Sequence, residues 1–404
     1  MAKTHPLIYD WNVVNQPPAA GRGVMLDDET LRDGLQSPSV RTPTIDQKIR
    51  ILHLINDLGI DTADIGLPGA GPHVVKDVER LAREIVDGRL AVRANCASRT
   101  LASDIQPIVD IAQRTGLDIE TCTFIGSSPI RQYAEDWTID RLQRLTDEAV
   151  TFAVKHGMTV MYVTEDTTRA DPDSLRALYS TAIRAGAKRV CIADTVGHAT
   201  PAGAAAVVKF VQSIVDECGG GVGIDWHGHR DRDLAIENSL AAMRAGATRL
   251  HGAAIGIGER VGNTPMDALL VNLVLMGVRE ANLTKLGDYC AATSEATGVP
   301  IPANYPVIGR DAYRTATGVH AAAVIKAFKK QDPALADAVY SGVPASLVGR
   351  EQGIEVGPMS GKSNVVYWLE KRGLEATDDR VDRIFAKAKA AASVLTEDEI
   401  RKML

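Results

Sequence analysis

Two histidines stand one residue apart in Asp225-Trp226-His227-Gly228-His229-Arg230-Asp231, directly after the apolar run Val222-Gly223-Ile224. If that run is a β-strand, the side chains of His227 and His229 project to the same side, because strand side chains alternate with period two. Two imidazoles so placed are two nitrogen donors for a divalent metal. A bare His-x-His pair is more often one packed and one solvated imidazole, so a carboxylate and a scaffold elsewhere in the chain must decide. Asp33, in the polar segment Asp28-Glu29-Thr30-Leu31-Arg32-Asp33-Gly34-Leu35-Gln36, is the candidate carboxylate. One carboxylate with two imidazoles suits Mn²⁺, Zn²⁺, Fe²⁺ or Co²⁺, with Mg²⁺ a less natural fit, and water or a chelating substrate would fill the open positions.

The elements that must position these groups follow from spacing. Short apolar runs begin near Val24, Ile60, Ala91, Asp118, Met158, Arg189, Val222 and Thr248, about 32 residues apart on average, the length of one βα unit. Thr44 and Gln47 form a capping box ahead of Ile45, Ile49, Leu52, Ile55 and Leu58 at helical spacing, and Gly59 ends that helix. Thr200-Pro201 is an N-cap followed by proline at the first helical position, and Gly116, Gly157, Gly186 and Gly246 sit where helix C-caps belong. Eight such units with right-handed crossovers predict an α/β TIM (β/α)8 barrel, an open doubly wound sheet being the alternative. Gly256-Ile-Gly258-Glu-Arg-Val-Gly262 is not the dinucleotide fingerprint, because its last glycine comes one residue late and at the end of the series. The division predicted is an irregular arm over 1–22, a catalytic barrel over 23–295, and a linker with small, mainly helical subdomains over 296–404. In the last part, Pro300, Pro302 and Pro306 mark the linker, and helices are predicted over 312–330, 334–340 and 362–373.

Chemistry in a barrel sits at the C-terminal strand ends. Asp27 and the segment after it, Glu165-Asp166, Asp194-Thr195, the histidine pair and Gly258–Asn263 all fall there, and polar residues are expected to be sparse within the strands. Taken singly, each has a plain structural reading. Asp33 fits a turn before Gly34, Arg32 a surface ion pair, Glu165 a barrel-end charge paired with Arg169, Asn263 a turn before Thr264-Pro265, and Thr195 a cap. Their joint placement on one rim favours chemistry.

The totals narrow the classes further. Hydrophobic residues make up 45% of the 404 residues and charged residues 24%, enough for a sizeable core. A net charge of −6, dispersed Lys and Arg, and 4% aromatics argue against nucleic-acid and anionic-membrane partners. The five cysteines include no Cys-x-x-Cys pair and read as reduced, packed thiols. With no apolar signal core after Met1, a soluble cytoplasmic protein is expected.

The segments Asp28–Gln36, His227-Gly-His-Arg-Asp and Gly258-Glu-Arg-Val-Gly-Asn-Thr-Pro together resemble the metal-dependent acyl-CoA condensing enzymes of the 2-isopropylmalate, homocitrate and citramalate synthase family, over roughly residues 23–370. The resemblance implies a barrel with helical subdomains, a divalent metal (Mn, Mg, Zn or Co) and acetyl-CoA as co-substrate. It assigns Asp33, His227 and His229 as metal ligands and Asn263 as a further ligand or its near neighbour. It assigns Arg32 to the keto-acid oxygen, Thr195 to the acid's carboxylate, Gln36 and Arg169 to substrate binding, and Glu165 to acid/base chemistry at the acetyl group. Thr317-Gly-Val-His320 matches a histidine that reaches the neighbouring subunit's site, which implies a homodimer. The implied reaction condenses acetyl-CoA with a 2-oxo acid to a 2-alkylmalate-type product and CoA. Ile65–Pro68, Phe124–Ile130 and Glu165–Arg169 look most like the isopropylmalate and homocitrate branches, so 2-oxoisovalerate and leucine biosynthesis are the leading expectation, with homocitrate or citramalate synthesis as alternatives.

Leu35 stands where Glu is frequent and Arg230 where Asn is usual, which leaves the 2-oxo acid open. The chain ends near 404 without the leucine-sensing domain of many isopropylmalate synthases, so leucine feedback is not expected. A lyase for hydroxymethylglutaryl-CoA ranks lower because the loop Gly256–Gly262 has no cysteine. A biotin-type carboxyltransferase ranks lower because no Met-Lys-Met segment is present. A non-catalytic metal- or acyl-CoA-binding protein is the rival from another class. Leu67, Asn95 and Ser127 are weaker candidates for the pocket wall.

Overall fold

Each of the eight apolar runs forms a strand: β1 Met25–Asp28, β2 Thr62–Asp64, β3 Arg93–Arg99, β4 Ile119–Gly126, β5 Val160–Glu165, β6 Arg189–Asp194, β7 Gly223–Gly228 and β8 Arg249–Gly252. This computed structural model describes residues 5–13 and 23–404. Every strand pairs in parallel with its sequence neighbours, and β8 returns to β1, with Met25 opposite Arg249 and Asp28 opposite Gly252, so the barrel is closed. The open-sheet alternative falls away. Of the arm expected over 1–22, residues 1–4 and 14–22 lie outside the described part, and Trp11–Val13 is a single 3-10 turn.

The helices form where the local signals place them. Thr44 Oγ1 accepts from the Gln47 N–H (3.3 Å) and Gln47 Oε1 accepts from the Thr44 N–H (3.0 Å), opening the helix Ile45–Asp57, which buries Ile51, Leu52 and Ile55. Thr200 Oγ1 accepts from the Gly203 N–H (3.2 Å) ahead of Pro201–Glu217. Helices Pro72–Gly88, Ala102–Thr115, Ile139–Lys155, Pro172–Ala185, Ala235–Ala245 and Met266–Leu275 complete the ring.

The expectation that polar residues are sparse within the strands is not met. Asp27, Asp64, Asn95, Asp225, Arg249 and His251 are buried in them. They are tolerated because they answer one another between strands, some adjacent and some across the barrel interior. Arg249 Nε donates to Asp225 Oδ2 and its Nη2 to Glu120 Oε2, both at 2.6 Å, and Arg189 Nε donates to Asp225 Oδ1 at 2.6 Å. Buried charges persist when paired and hydrogen-bonded in this way.

The chain divides into two units. The first holds the barrel through Ala281 and also Asp288–Pro300; the second holds Asn282–Gly287 and Ile301–Leu404 with the described part of the N-terminal arm. The helix Leu286–Thr297 belongs with the barrel because Tyr289 is fully buried there, its hydroxyl donating to Asp28. In the second unit the helix expected over 312–330 starts only at Gly318, since Arg314–Thr315 pairs in parallel with Gly353–Ile354. Pro333–Ala338 and Lys362–Glu370 match the other two expected helices, and Asp378–Lys389 and Glu397–Arg401 are additional. Val365, Trp368, Leu369, Val381 and Ile384 form the core of this region. Among the described residues no helix is long and apolar enough to cross a membrane, and all five cysteines are unpaired.

Candidate active site

Strand β1 ends at Asp28, and a 3-10 turn, Asp33–Gln36, follows over the barrel mouth. It brings Asp33 against the histidine pair at the end of β7. His227 Nε2 lies 3.2 Å from His229 Nε2 and 3.4 Å from Asp33 Oδ2, and His229 Nε2 lies 3.5 Å from the same oxygen. Bonds of about 2.1 Å to a central cation at near-tetrahedral or octahedral angles would separate donor atoms by about 3.0–3.4 Å. The three donors thus fit the edge lengths of a divalent site. The fit is strengthened by a buried oxygen without a hydrogen-bond partner, Asn263 Oδ1. Asn263 is bridged to His229 across the backbone and its Nδ2 donates to the Ile257 carbonyl (3.1 Å), so it sits beside the triad.

The loop that carries Asn263 needs its glycines. Gly262 has φ +105°, and a Cβ there would meet the Gly256 carbonyl oxygen at 1.8 Å; at Gly258 (φ +146°) a Cβ would meet Asn263 Nδ2 at 2.2 Å. Arg230 donates to Asp233 (3.1 Å).

The two imidazoles are pushed in opposite directions. Burial disfavours the charged form of His227, yet Glu29 and Asp33 outweigh it and raise His227 to about 10. His229 is lowered to about 4 by burial and by its charged neighbour His227. For Asp33 burial works toward protonation, but Arg32 and the two histidines hold its carboxyl well below the usual range. A cation at this point would replace a proton that already balances Asp33.

Arg32 is the next group. Its Nε donates to Asp64 Oδ2 (2.7 Å), its Nη2 to Glu29 Oε2, and its Nη1 lies 3.7 Å from Asp33 Oδ1. It is not the surface residue of the plain reading, since its side chain keeps only 19% exposure. A cavity of about 370 Å³ opens over these groups, and Gln36, Leu67, Glu165, Thr195, Glu259 and Arg260 line it together with Arg32 and the triad. One wall is apolar: Ala97, Cys122, Phe124, Met161, Val163 and Ala193. Burial pushes the Cys122 thiol far above its usual range.

Glu165, at the end of β5, lies 3.7 Å from Arg131 and not against Arg169. Burial raises its carboxyl pKa, and Arg131 partly offsets this. Thr195 Oγ1 accepts from the Asp166 N–H (2.8 Å), so its own proton is left for another acceptor. Arg169 stands outside the cavity wall, because its guanidinium is committed to Asp166 at 2.8 and 2.7 Å. That clamp holds Asp166 in the left-handed conformation (φ +60°) that turns the chain after β5. Of the weaker wall candidates, Leu67 lines the cavity, whereas Asn95 donates to Asp27 and Ser127 to the Glu165 carbonyl. His320 lies in the second unit, exposed, its ring 4.2 Å from that of Tyr340.

Among the residues at the site without an assigned role in the sequence, two stand directly behind the triad. Glu29 and His251 join His227 as a second group of potential ligand atoms within 4.8 Å of one another. Arg249-Leu250-His251 offered a signal, charged residues alternating along a strand and hence facing one interior.

Residues 24–292 match the HMGL-like family. The chain belongs to that family. It is 31% identical to the probable 2-isopropylmalate synthase of Methanopyrus kandleri, over 91% of this chain and 69% of that protein. It is also 31% identical to the homocitrate synthase of Sulfolobus acidocaldarius, over 91% of this chain and 75% of that protein. In fold it is similar to a crystal structure of the HMG-CoA lyase of Bacillus subtilis, with a TM-score of 0.58 at 18% identity, covering 70% of this chain and 96% of the lyase. The Brucella melitensis HMG-CoA lyase gives 0.57 at 19%, covering 68% and 98%. At such identities these neighbours bear on the fold alone.

Proposed function

We propose that this HMGL-like enzyme is an acyltransferase that condenses acetyl-CoA with a 2-oxo acid bearing a small branched apolar side chain, 2-oxoisovalerate in the leading case. The observation that carries this reading is the convergence of Asp33, His227 and His229 within 3.2–3.5 Å beside Arg32, at the mouth of a cavity with an apolar wall. Asp33, His227 and His229, with Asn263 at hand, would hold the divalent cation. When bound, the cation supplies a Lewis acid at the keto oxygen of the substrate. Thr195 offers its free hydroxyl proton to the acid's carboxylate. Glu165 takes a proton from the acetyl methyl group. The resulting carbanion forms the new C–C bond at the keto carbon, the C=O π pair moves to the oxygen that Arg32 faces, and that oxygen takes up a proton to become the product hydroxyl. Water then cleaves the thioester and CoA leaves.

The wall formed by Ala97, Cys122, Phe124, Met161, Val163 and Ala193 favours an apolar substituent over the second carboxylate of 2-oxoglutarate. Leucine biosynthesis, a cytoplasmic location and a homodimer in which His320 serves the partner's site complete the reading, the last on the resemblance of Thr317–His320.

The test is release of CoA, followed with a thiol reagent, on mixing acetyl-CoA with pyruvate, 2-oxoisovalerate or 2-oxoglutarate in the presence of Mn²⁺. The highest kcat/KM is expected with 2-oxoisovalerate. A preference for 2-oxoglutarate would overturn the assignment of the acid, and no CoA release with any of the three would overturn condensation itself.

A further inference from the structure

Glu29 is 2% exposed, and three donors from three parts of the barrel meet on its two oxygens. Oε1 lies 3.0 Å from His227 Nδ1 and 2.8 Å from His251 Nδ1, and Oε2 accepts from Arg32 Nη2. A carboxylate only accepts, so both imidazoles must present an N–H at Nδ1. His227 Nε2 is thereby left facing Asp33 and His229. The same carboxylate holds one arm of the Arg32 fork while Asp64 holds another, which leaves Nη1 on the side of Asp33. Behind Glu29 the support continues: His251 Nε2 lies 3.0 Å from Asp225 Oδ2, and Asp225 is fixed by Arg189 and Arg249.

We propose that Glu29, backed by His251, is a positioning residue that sets the tautomer of the ligand His227 and the direction of Arg32 through one carboxylate. The proposal rests on the reading of Asp33, His227 and His229 as a divalent-cation site. A second cation held by Glu29, His227 and His251 is disfavoured by the same geometry. Glu29 Oε2 already faces the Arg32 guanidinium, whose positive charge a second cation on the same carboxylate would meet at close range. Partners of this kind behind a ligating histidine orient the ring and raise its basicity, and removing them weakens metal binding about 10- to 100-fold.

The experiment is titration of the full-length purified protein with Mn²⁺ against a competing chelator, for the native chain, Glu29→Gln, Glu29→Asp and His251→Asn. Glu29→Gln keeps one acceptor but turns an NH₂ toward Arg32, so a rise in Kd of about 10- to 100-fold is expected, with partial recovery in Glu29→Asp. In Zn²⁺-loaded protein labelled with ¹⁵N at histidine, the His227 signals are expected to report an Nδ1–H with the metal on Nε2 in the native chain and a mixture of the two arrangements in Glu29→Gln. A destabilisation alone would move neither readout in the folded fraction. A Kd and tautomer signal unchanged in Glu29→Gln overturn the proposal. If Glu29→Gln does not fold, His251→Asn decides by the same two readouts, because it removes the support while leaving the carboxylate. Failure of the native protein to bind Mn²⁺ would instead overturn the cation site.

Discussion

Replacing Arg32 by alanine separates positioning of charge from binding of the cation. Its guanidinium bonds Asp64 and Glu29 and stands 3.7 Å from Asp33 Oδ1, next to the ligands without being one. If it faces the oxygen that gains charge in the condensation, its loss removes one preorganised donor. Such a loss is worth about 100- to 1,000-fold in kcat, or roughly 3–4 kcal/mol at the barrier. The three carboxylates left behind do not repel a cation, so Mn²⁺ affinity is expected to hold or to tighten. Stability should fall, because an uncompensated buried carboxylate costs up to about 3–5 kcal/mol; the 19% exposure of the Arg32 side chain puts the expected loss toward the lower end of that range. Kinetics therefore belong at a temperature where circular dichroism shows the variant folded. The assay is kcat and KM by CoA release, with Mn²⁺ titrated in parallel. Arg32→Lys restores the charge but not the planar fork, and should recover only part of kcat. A folded, Mn²⁺-binding Arg32→Ala enzyme with unchanged kcat would refute the assigned role.

Asp33→Ala and His227→Ala are expected to lose Mn²⁺ binding and turnover together, measured by metal titration and CoA release, and full activity after exhaustive chelation would contradict the ligand assignment. As the proposed base Glu165 would act in its deprotonated form, and Arg131 opposes the burial that raises its pKa. Arg131→Gln should therefore raise that pKa further and move the acid limb of the kcat/KM–pH profile to higher pH; a shift to lower pH rejects Glu165 as the base. Gly262→Ala places a Cβ 1.8 Å from a carbonyl oxygen at φ +105°, a conformation costing roughly 1–3 kcal/mol before the clash is counted. Urea unfolding should show a lower midpoint and turnover should drop; neither changing would mean that the loop rearranges without strain.

Much of the barrel was legible in the chain because its signals are local. All eight strands begin within two residues of the apolar runs that announced them, and the Thr44 box and Thr200-Pro201 cap form as read. The cluster of Asp33 with His227 and His229 was legible because period-two alternation and strand-end position together determine direction. The interior charges were not, because Asp225, Arg249 and His251 are tolerated only through partners supplied by other strands, a tertiary fact with no local signature. The two hydrogen bonds from the Arg169 guanidinium to Asp166 were likewise not announced by the sequence. The helix Asp378–Lys389 went unread although Val381, Ile384 and Ala388 recur at helical spacing, and Glu397–Arg401 offers only Ile400 as a buried apolar residue, too little for a periodic signal.

Asp33 follows β1, whereas His227 and His229 close β7, and β8 is the only strand between these two in the ring. The proposed cation pocket therefore straddles the seam where the cylinder shuts. A polypeptide still emerging from the ribosome cannot assemble it until β8 has been synthesised and has docked against the first strand. Once shut, the ring gains from every ion it captures: occupancy at a hundred times Kd adds about 2.7 kcal/mol to the native state by mass action. The catalytic ion would then double as a clasp, and its withdrawal would loosen the whole cylinder at the point where its two ends meet.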